Sequence, residues 1–164
     1  MHATGQAKEP SFEPDSLVDA VLRASRVLVA IAARSLADAG EDVTLTQYRS
    51  LVVLASRGPQ TVAELADLLA VTPPTASRLC ERLVRKGLIR RRAGRHDRRQ
   101  VHIALTETGR ELIDAVTVRR RGEIADLFAA IPLETQRSLV EALIHLADVA
   151  GEPPEQDWSA GWDL

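Results

Sequence analysis

Between Val71 and Thr106 the chain allows few folds. Thr72 is a helix N-cap candidate, with Pro73 at the first helical position, where a missing N–H costs nothing. Leu79 and Leu83 mark the inward face, and Gly87 stops the helix so that Leu88 can fold back on Leu83. Leu88 to Arg92 is short and mixed, and 93–97 is turn-like. Val101, Ile103 and Leu105 then alternate with His102 and Ala104, the period of a half-buried strand. A short helix followed at once by a hairpin is the expected local structure.

Charge sharpens this reading. Ten of the 21 Lys and Arg fall between Arg78 and Arg99, against two acids, Glu81 and Asp97. The window carries +8 in a chain whose formal total is −2. A basic face on an acidic body is what a polyanion-binding protein presents.

The preceding segment supplies a partner helix. Thr61 and Glu64 form a capping-box pattern, with Leu65, Ala66, Leu68 and Leu69 as the expected buried face. Ala70-Val71 connects it tightly to Thr72. Two short helices joined this way form a helix-turn-helix pattern. Upstream, Thr44 and Gln47 form another capping box, with Val43 and Tyr48 as its hydrophobic staple, and Gly58-Pro59 ends that helix.

Longer helices flank this centre. Leu17, Val21, Leu28 and Ile31 follow helical spacing between about Pro14 and Ala37. Thr106 caps a helix with Leu112, Val116, Ile124, Leu127 and Ile131 on one stripe, broken at Ile131-Pro132. A last helix from about Glu134 to Ala150 has Leu139, Leu143, Leu146 and Ala150 as its expected inward face. The expected division is a flexible arm (1–13), a single domain (14–150) and an acidic tail (151–164) carrying Trp158 and Trp162.

Composition fits a mainly helical fold: 45 % hydrophobic residues, but only 3 % aromatics. One cysteine, Cys80, excludes an internal disulfide framework and makes a reducing cytoplasm the default. The N-terminus has no apolar run suited to a leader, and no stretch approaches the ~20 apolar residues of a membrane span. The four histidines are scattered without metal-ligand spacing. No phosphate-binding loop, dinucleotide fingerprint or nucleophile elbow is present, so neither an enzyme nor a cofactor is expected.

The ordered set of motifs resembles the MarR family of winged helix-turn-helix transcription regulators, over roughly Leu17 to Val149. Val43-Thr44 with Gln47, Tyr48, Arg49 and Leu51 looks like the family's second-helix entry. Thr72 to Leu79 and Arg82 to Ile89 look like its recognition helix and exit. Asp97-Arg98-Arg99, then Val101, Ile103, Leu105, Thr106 and Gly109, look like its wing. The resemblance implies a winged helix-turn-helix at about 44–105 and dimerisation helices at about 14–37 and 106–150. It also implies a homodimer on a pseudo-palindromic DNA duplex, usually a repressor released by a small ligand or by oxidation.

On that reading Thr61, Thr72, Pro74, Thr75, Ser77, Arg78 and Arg82 are candidate DNA contacts in the helix-turn-helix. Arg can bond bidentately to guanine, and hydroxyls can reach bases or phosphates. The family usually has a small polar residue where Pro74 stands. Arg82, with Arg85 and Lys86, could equally complement the helix C-terminal dipole. Arg95, Asp97, Arg98 and Arg99 are the wing candidates. Arg99 would enter a narrow minor groove while Asp97 braces the loop. Tyr48 and Arg120 are candidates for a small organic effector; Arg120, a cation on an apolar stripe, could instead pair across a dimer. Two other readings stay open: a thiol sensor using Cys80, and a winged helix that docks proteins without binding DNA.

Overall fold

Three N-caps set the helical frame around the centre of the chain. The structure, a computed structural model, describes residues 14–40, 42–93, 100–155 and 158. A long helix α1 (Pro14–Ala37) comes first. Thr44 then caps α2 (Leu45–Arg57): its hydroxyl accepts from the Gln47 amide, and the Gln47 side chain accepts from the Thr44 amide. Thr61 and Glu64 repeat the device at α3 (Val62–Leu68). α4 (Pro73–Arg85) follows, then β2 (Ile89–Ala93), β3 (Val101–Leu105), α5 (Glu107–Ala129) and α6 (Leu133–Val149). A two-residue strand, β1 (Gln60–Thr61), completes an antiparallel sheet of order β1-β3-β2. Ile89 pairs with Leu105 and Ala93 with Val101, the expected hairpin. Gln60 pairs with Ile103, tying the start of α3 to the sheet.

The core lies among α2, α3, α4, the sheet and the first half of α5. Leu51, Leu54, Leu65, Leu83, Ile103 and Val116 are fully buried there. Burying such a side chain stabilises by about 1.5–3 kcal/mol, so this cluster holds the centre of the chain together. Val43 and Tyr48 both belong to it, as a staple requires.

The turn after α4 stops as expected. Gly87 takes φ +71, and the Leu88 amide donates to the Leu83 carbonyl at 3.0 Å. The strand exit is locked to α5 by one residue: the Thr106 hydroxyl donates to the Gly87 carbonyl at 2.6 Å and accepts from the Gly109 amide at 3.1 Å.

Several expected inward faces are not buried. Leu68 is exposed and Leu69 only half-buried, because α3 is too short to cover more than Leu65 and Ala66. Val101 is exposed while Ala104 is buried, since β3 is the central strand and its end near Leu105 is covered by helices. In α6 no residue is buried; Leu143 and Leu146 are about half exposed. In α1, Leu17, Val21 and Leu28 are exposed and only Ile31 of the expected stripe is buried. α5 changes along its length: Leu112 and Val116 are buried, whereas Leu127 is exposed. The outer helices therefore carry apolar faces that the other described residues do not cover.

The end of α1 is held by the buried Ile31 and Leu36 and by polar contacts to α5. Arg34 donates from Nε and Nη2 to one oxygen of Glu123 on α5, at 3.1 and 2.7 Å. The buried Ser35 hydroxyl lies 3.1 Å from the other oxygen. The Arg34 bonds are the chief cause holding the Glu123 carboxyl below the usual range. No helix among the described residues is long and apolar enough to cross a membrane.

Candidate nucleic-acid interface and the cleft behind it

α4 divides cleanly into two faces. Ala76, Leu79, Cys80 and Leu83 are buried in the core. Thr72, Pro74, Thr75, Arg78 and Arg82 are exposed on the opposite side, and Ser77 is half-buried. This is the helical period at work: fixing one face on the core presents the other as a unit. The exposed face holds hydroxyls at the N-terminal end and guanidinium groups further along.

The helix start keeps the expected cap residue but not a cap hydrogen bond. Thr72 occupies the N-cap position, but its side chain makes no cap hydrogen bond. Its hydroxyl instead lies 2.9 Å from the Thr75 hydroxyl. Pro73 and Pro74 remove two of the amide donors that a helix start normally offers to a cap or a phosphate. Contact from this end therefore depends on side chains. In the turn before it, Ala70 takes φ +53, a left-handed residue joining α3 to α4.

Thr61 is used differently from the other hydroxyl candidates. It is half-buried, its hydroxyl donates to the Glu64 carboxylate at 2.8 Å, and its amide donates to the same oxygen at 2.7 Å. These bonds, the amide first, hold the Glu64 carboxyl below its ordinary value. Arg82 stands with Arg85, Lys86, Asp42, Thr44 and Gln47 around an open pocket of about 400 Å³ between the ends of α2 and α4. Arg95, Asp97, Arg98 and Arg99 lie outside the described residues.

Behind α2 lies a second feature. Ala32, Leu45, Val52 and Leu69 wall a cleft of about 460 Å³ together with Tyr48, Arg49 and Arg120. Tyr48 and Arg120 thus line one cleft. Burial is the largest influence on the Tyr48 phenol and raises it; the Thr117 hydroxyl and the Arg120 guanidinium oppose that shift. The phenol stays protonated at neutral pH and can donate. Arg120 Nε is buried without a hydrogen-bond partner among the described residues. An apolar wall with a few convergent polar groups is the usual form of a small-molecule site. Arg49 was not singled out as a pocket residue by sequence; α2 spacing places it beside Tyr48 at the rim.

Cys80 is fully buried, and burial raises its thiol. A peroxide sensor needs an accessible thiolate, so Cys80→Ala is expected to leave any peroxide response of DNA binding unchanged. A mobility-shift titration with and without peroxide checks this; loss of a peroxide response in the variant would restore the thiol-sensor reading. Among the described residues no group of three His, Cys, Asp or Glu is placed to hold a metal ion.

A helix-turn-helix followed by a β-hairpin that pairs with a short strand ahead of it, with a polar and basic second helix facing outward, defines a winged helix-turn-helix. Comparison with known proteins specifies the family. The MarR family model matches residues 41–100. A crystal structure of RV1404 from Mycobacterium tuberculosis superposes with a TM-score of 0.80 at 40 % identity, covering 88 % of this chain and 99 % of that one. The uncharacterized HTH-type transcriptional regulator YhbI of Bacillus subtilis is 31 % identical over 68 % of this chain and 74 % of its own length. The HTH-type transcriptional repressor MdtR of the same species is 26 % identical, covering 74 % and 78 % respectively. The chain belongs to the MarR family of DNA-binding transcription regulators. Its relatives are transcription regulators rather than enzymes.

Proposed function

We propose that the protein is a cytoplasmic, homodimeric repressor that binds an inverted-repeat operator and is released when a small organic effector enters the Tyr48–Arg120 cleft. The observation that carries it is the pairing of an outward α4 face with apolar stripes on α1 and α6 that lack cover among the described residues. The first is suited to a major groove. The second needs a second copy, since exposed apolar area of this extent is rare on a monomer. A two-fold dimer sets two recognition helices about 34 Å apart, one turn of DNA. A repressor among the relatives, MdtR, favours this output over activation.

In this reading Thr72, Thr75, Ser77 and Arg78 meet the major groove. Pro74 adds apolar contact only, Thr61 shapes the start of α3, and Arg82 reaches phosphate. Arg95, Arg98 and Arg99, with Asp97 bracing the turn, engage the minor groove and backbone. Removing Arg78 is expected to cost about 1–3 kcal/mol and to relax sequence preference. Arg99→Ala is expected to weaken DNA binding with an unchanged circular-dichroism spectrum. Titration of both variants against the upstream region of the protein's own gene checks these outcomes. Full affinity in Arg99→Ala would remove the wing from the interface.

A further inference from the structure

The sequence left the acidic tail without a role, and the structure gives its first part a defined seat. Gly151, at φ +67, ends α6, with the Glu152 amide donating to the Ala147 carbonyl at 3.0 Å. The chain then crosses to the DNA-binding half. Arg57, at the end of α2, donates to the Gly151 carbonyl at 2.7 Å. Arg49 donates to both oxygens of Glu152, at 3.1 and 2.9 Å. Arg121 of α5 pairs with Glu155. Trp158 packs against the core cluster, and its ring N–H donates to the Pro153 carbonyl at 3.2 Å. Three arginines from two helices thus hold one short segment, and an aromatic ring anchors its end.

Arg49 connects this segment to the cleft. Arg49 lines the Tyr48–Arg120 cleft, and its guanidinium forms the two-bonded pair with Glu152. A guanidinium paired with one carboxylate through both terminal nitrogens cannot offer the same fork to a second. A second cavity of about 510 Å³ is lined by Thr117 and Arg121 of α5 together with Glu155 and Trp158. Thr117 also acts on the Tyr48 phenol. Adjacent α2 residues, Tyr48 and Arg49, therefore face the cleft and the tail together.

We propose that residues 151–155 and Trp158 form an internal strap whose Glu152 competes with an anionic effector for Arg49, so that filling the cleft unfastens the tail from α2. This rests on the reading of the cleft as an effector site and adds its regulation. The fastened strap joins α6, a dimerisation helix, to α2 of the DNA-binding half. It narrows the orientations that half can adopt, and such preorganisation favours simultaneous contact with two half-sites. Release by an anion then loosens the grip on DNA, the direction a ligand-released repressor requires. Because the fastened state excludes the effector from Arg49, the apparent affinity is reduced by the fraction of molecules that are open.

The test uses the full chain with Trp162→Phe, which leaves Trp158 as the single tryptophan. Sodium benzoate, an apolar body with one carboxylate, is titrated against a sodium chloride blank, with emission and calorimetry read in parallel. Glu152→Gln is added to the same background. In the parent, Trp158 emission should shift to the red and saturate with the calorimetric isotherm. In Glu152→Gln the emission should be red-shifted at the outset, and benzoate should bind roughly tenfold more tightly. Equal affinities with unmoved Trp158 emission would overturn the strap and leave the effector reading standing. Absence of heat with either protein would overturn both. DNA binding by the parent is measured separately, so failure of the regulator reading is seen on its own.

Discussion

Replacing Gly109 by alanine is expected to lower the stability of the fold by about 2 kcal/mol. A Cβ at this position would run into the Leu88 carbonyl oxygen and come within 2.9 Å of Leu105 Cδ1. The side chain could turn aside, but the carbonyl is backbone and already accepts from the Thr106 amide at 3.1 Å. Overpacking of this kind costs about 1–3 kcal/mol, and a clash with a fixed backbone atom belongs at the upper end. Against it stands about 1 kcal/mol recovered from the better helix propensity of alanine. For a chain of this size the net loss corresponds to a melting temperature lower by roughly 4–8 °C. The site joins the exit of α4, the end of β3 and the start of α5, so the wing should loosen along with the core. Calorimetry checks the size of the effect. An unchanged or raised melting temperature would mean that Leu88 and α5 do not approach as closely as described.

Leu143→Glu is expected to have a larger effect on assembly than on the folded chain. Leu143 is 47 % exposed on α6, which buries no residue of its own. Within one chain about half of the side chain is already covered, so the folded chain loses part of that burial. In a two-fold dimer the substitution is present twice, removes about half of the 1.5–3 kcal/mol of a full burial at each copy, and adds the cost of taking a carboxylate out of water. The dimer should weaken by at least about 1.5–3 kcal/mol, roughly one to two orders of magnitude in dissociation constant. Operator affinity should fall with it, because the second half-site is no longer held at high effective concentration. Sedimentation at micromolar protein distinguishes the cases: a folded monomer is expected, and an intact dimer would move the interface away from α6.

What could be read from the sequence was mostly local. The Thr44–Gln47 and Thr61–Glu64 boxes need residues only three apart, and both formed as expected. Gly87 likewise acts within one turn of Leu83. At Thr72 the N-cap position was also legible, but its hydroxyl makes no cap bond, because two following prolines remove donors and the Thr75 hydroxyl offers a competing partner. β1 was missed: two residues show no periodicity, and their strand state comes from Ile103 and His102 across the sheet. The apolar stripes of α1 and α6 were legible as stripes, but a helical period does not say which chain will cover them. Pairs such as Arg34–Glu123 and Arg49–Glu152 join distant parts of the chain and left no signal in spacing. For the same reason Tyr48 and Arg120 could be named as pocket residues while Arg49, bound to the tail, could not.

The measurement that bears most directly on the central claim is a salt-series mobility shift on the upstream region of the protein's own gene, with the number of chains per duplex counted by mass. The account expects one retarded species of two chains per site. Its log K should fall linearly with log salt, at about 0.9 per neutralised phosphate. Absence of any retarded species at low salt would contradict it and favour a winged helix that docks proteins instead.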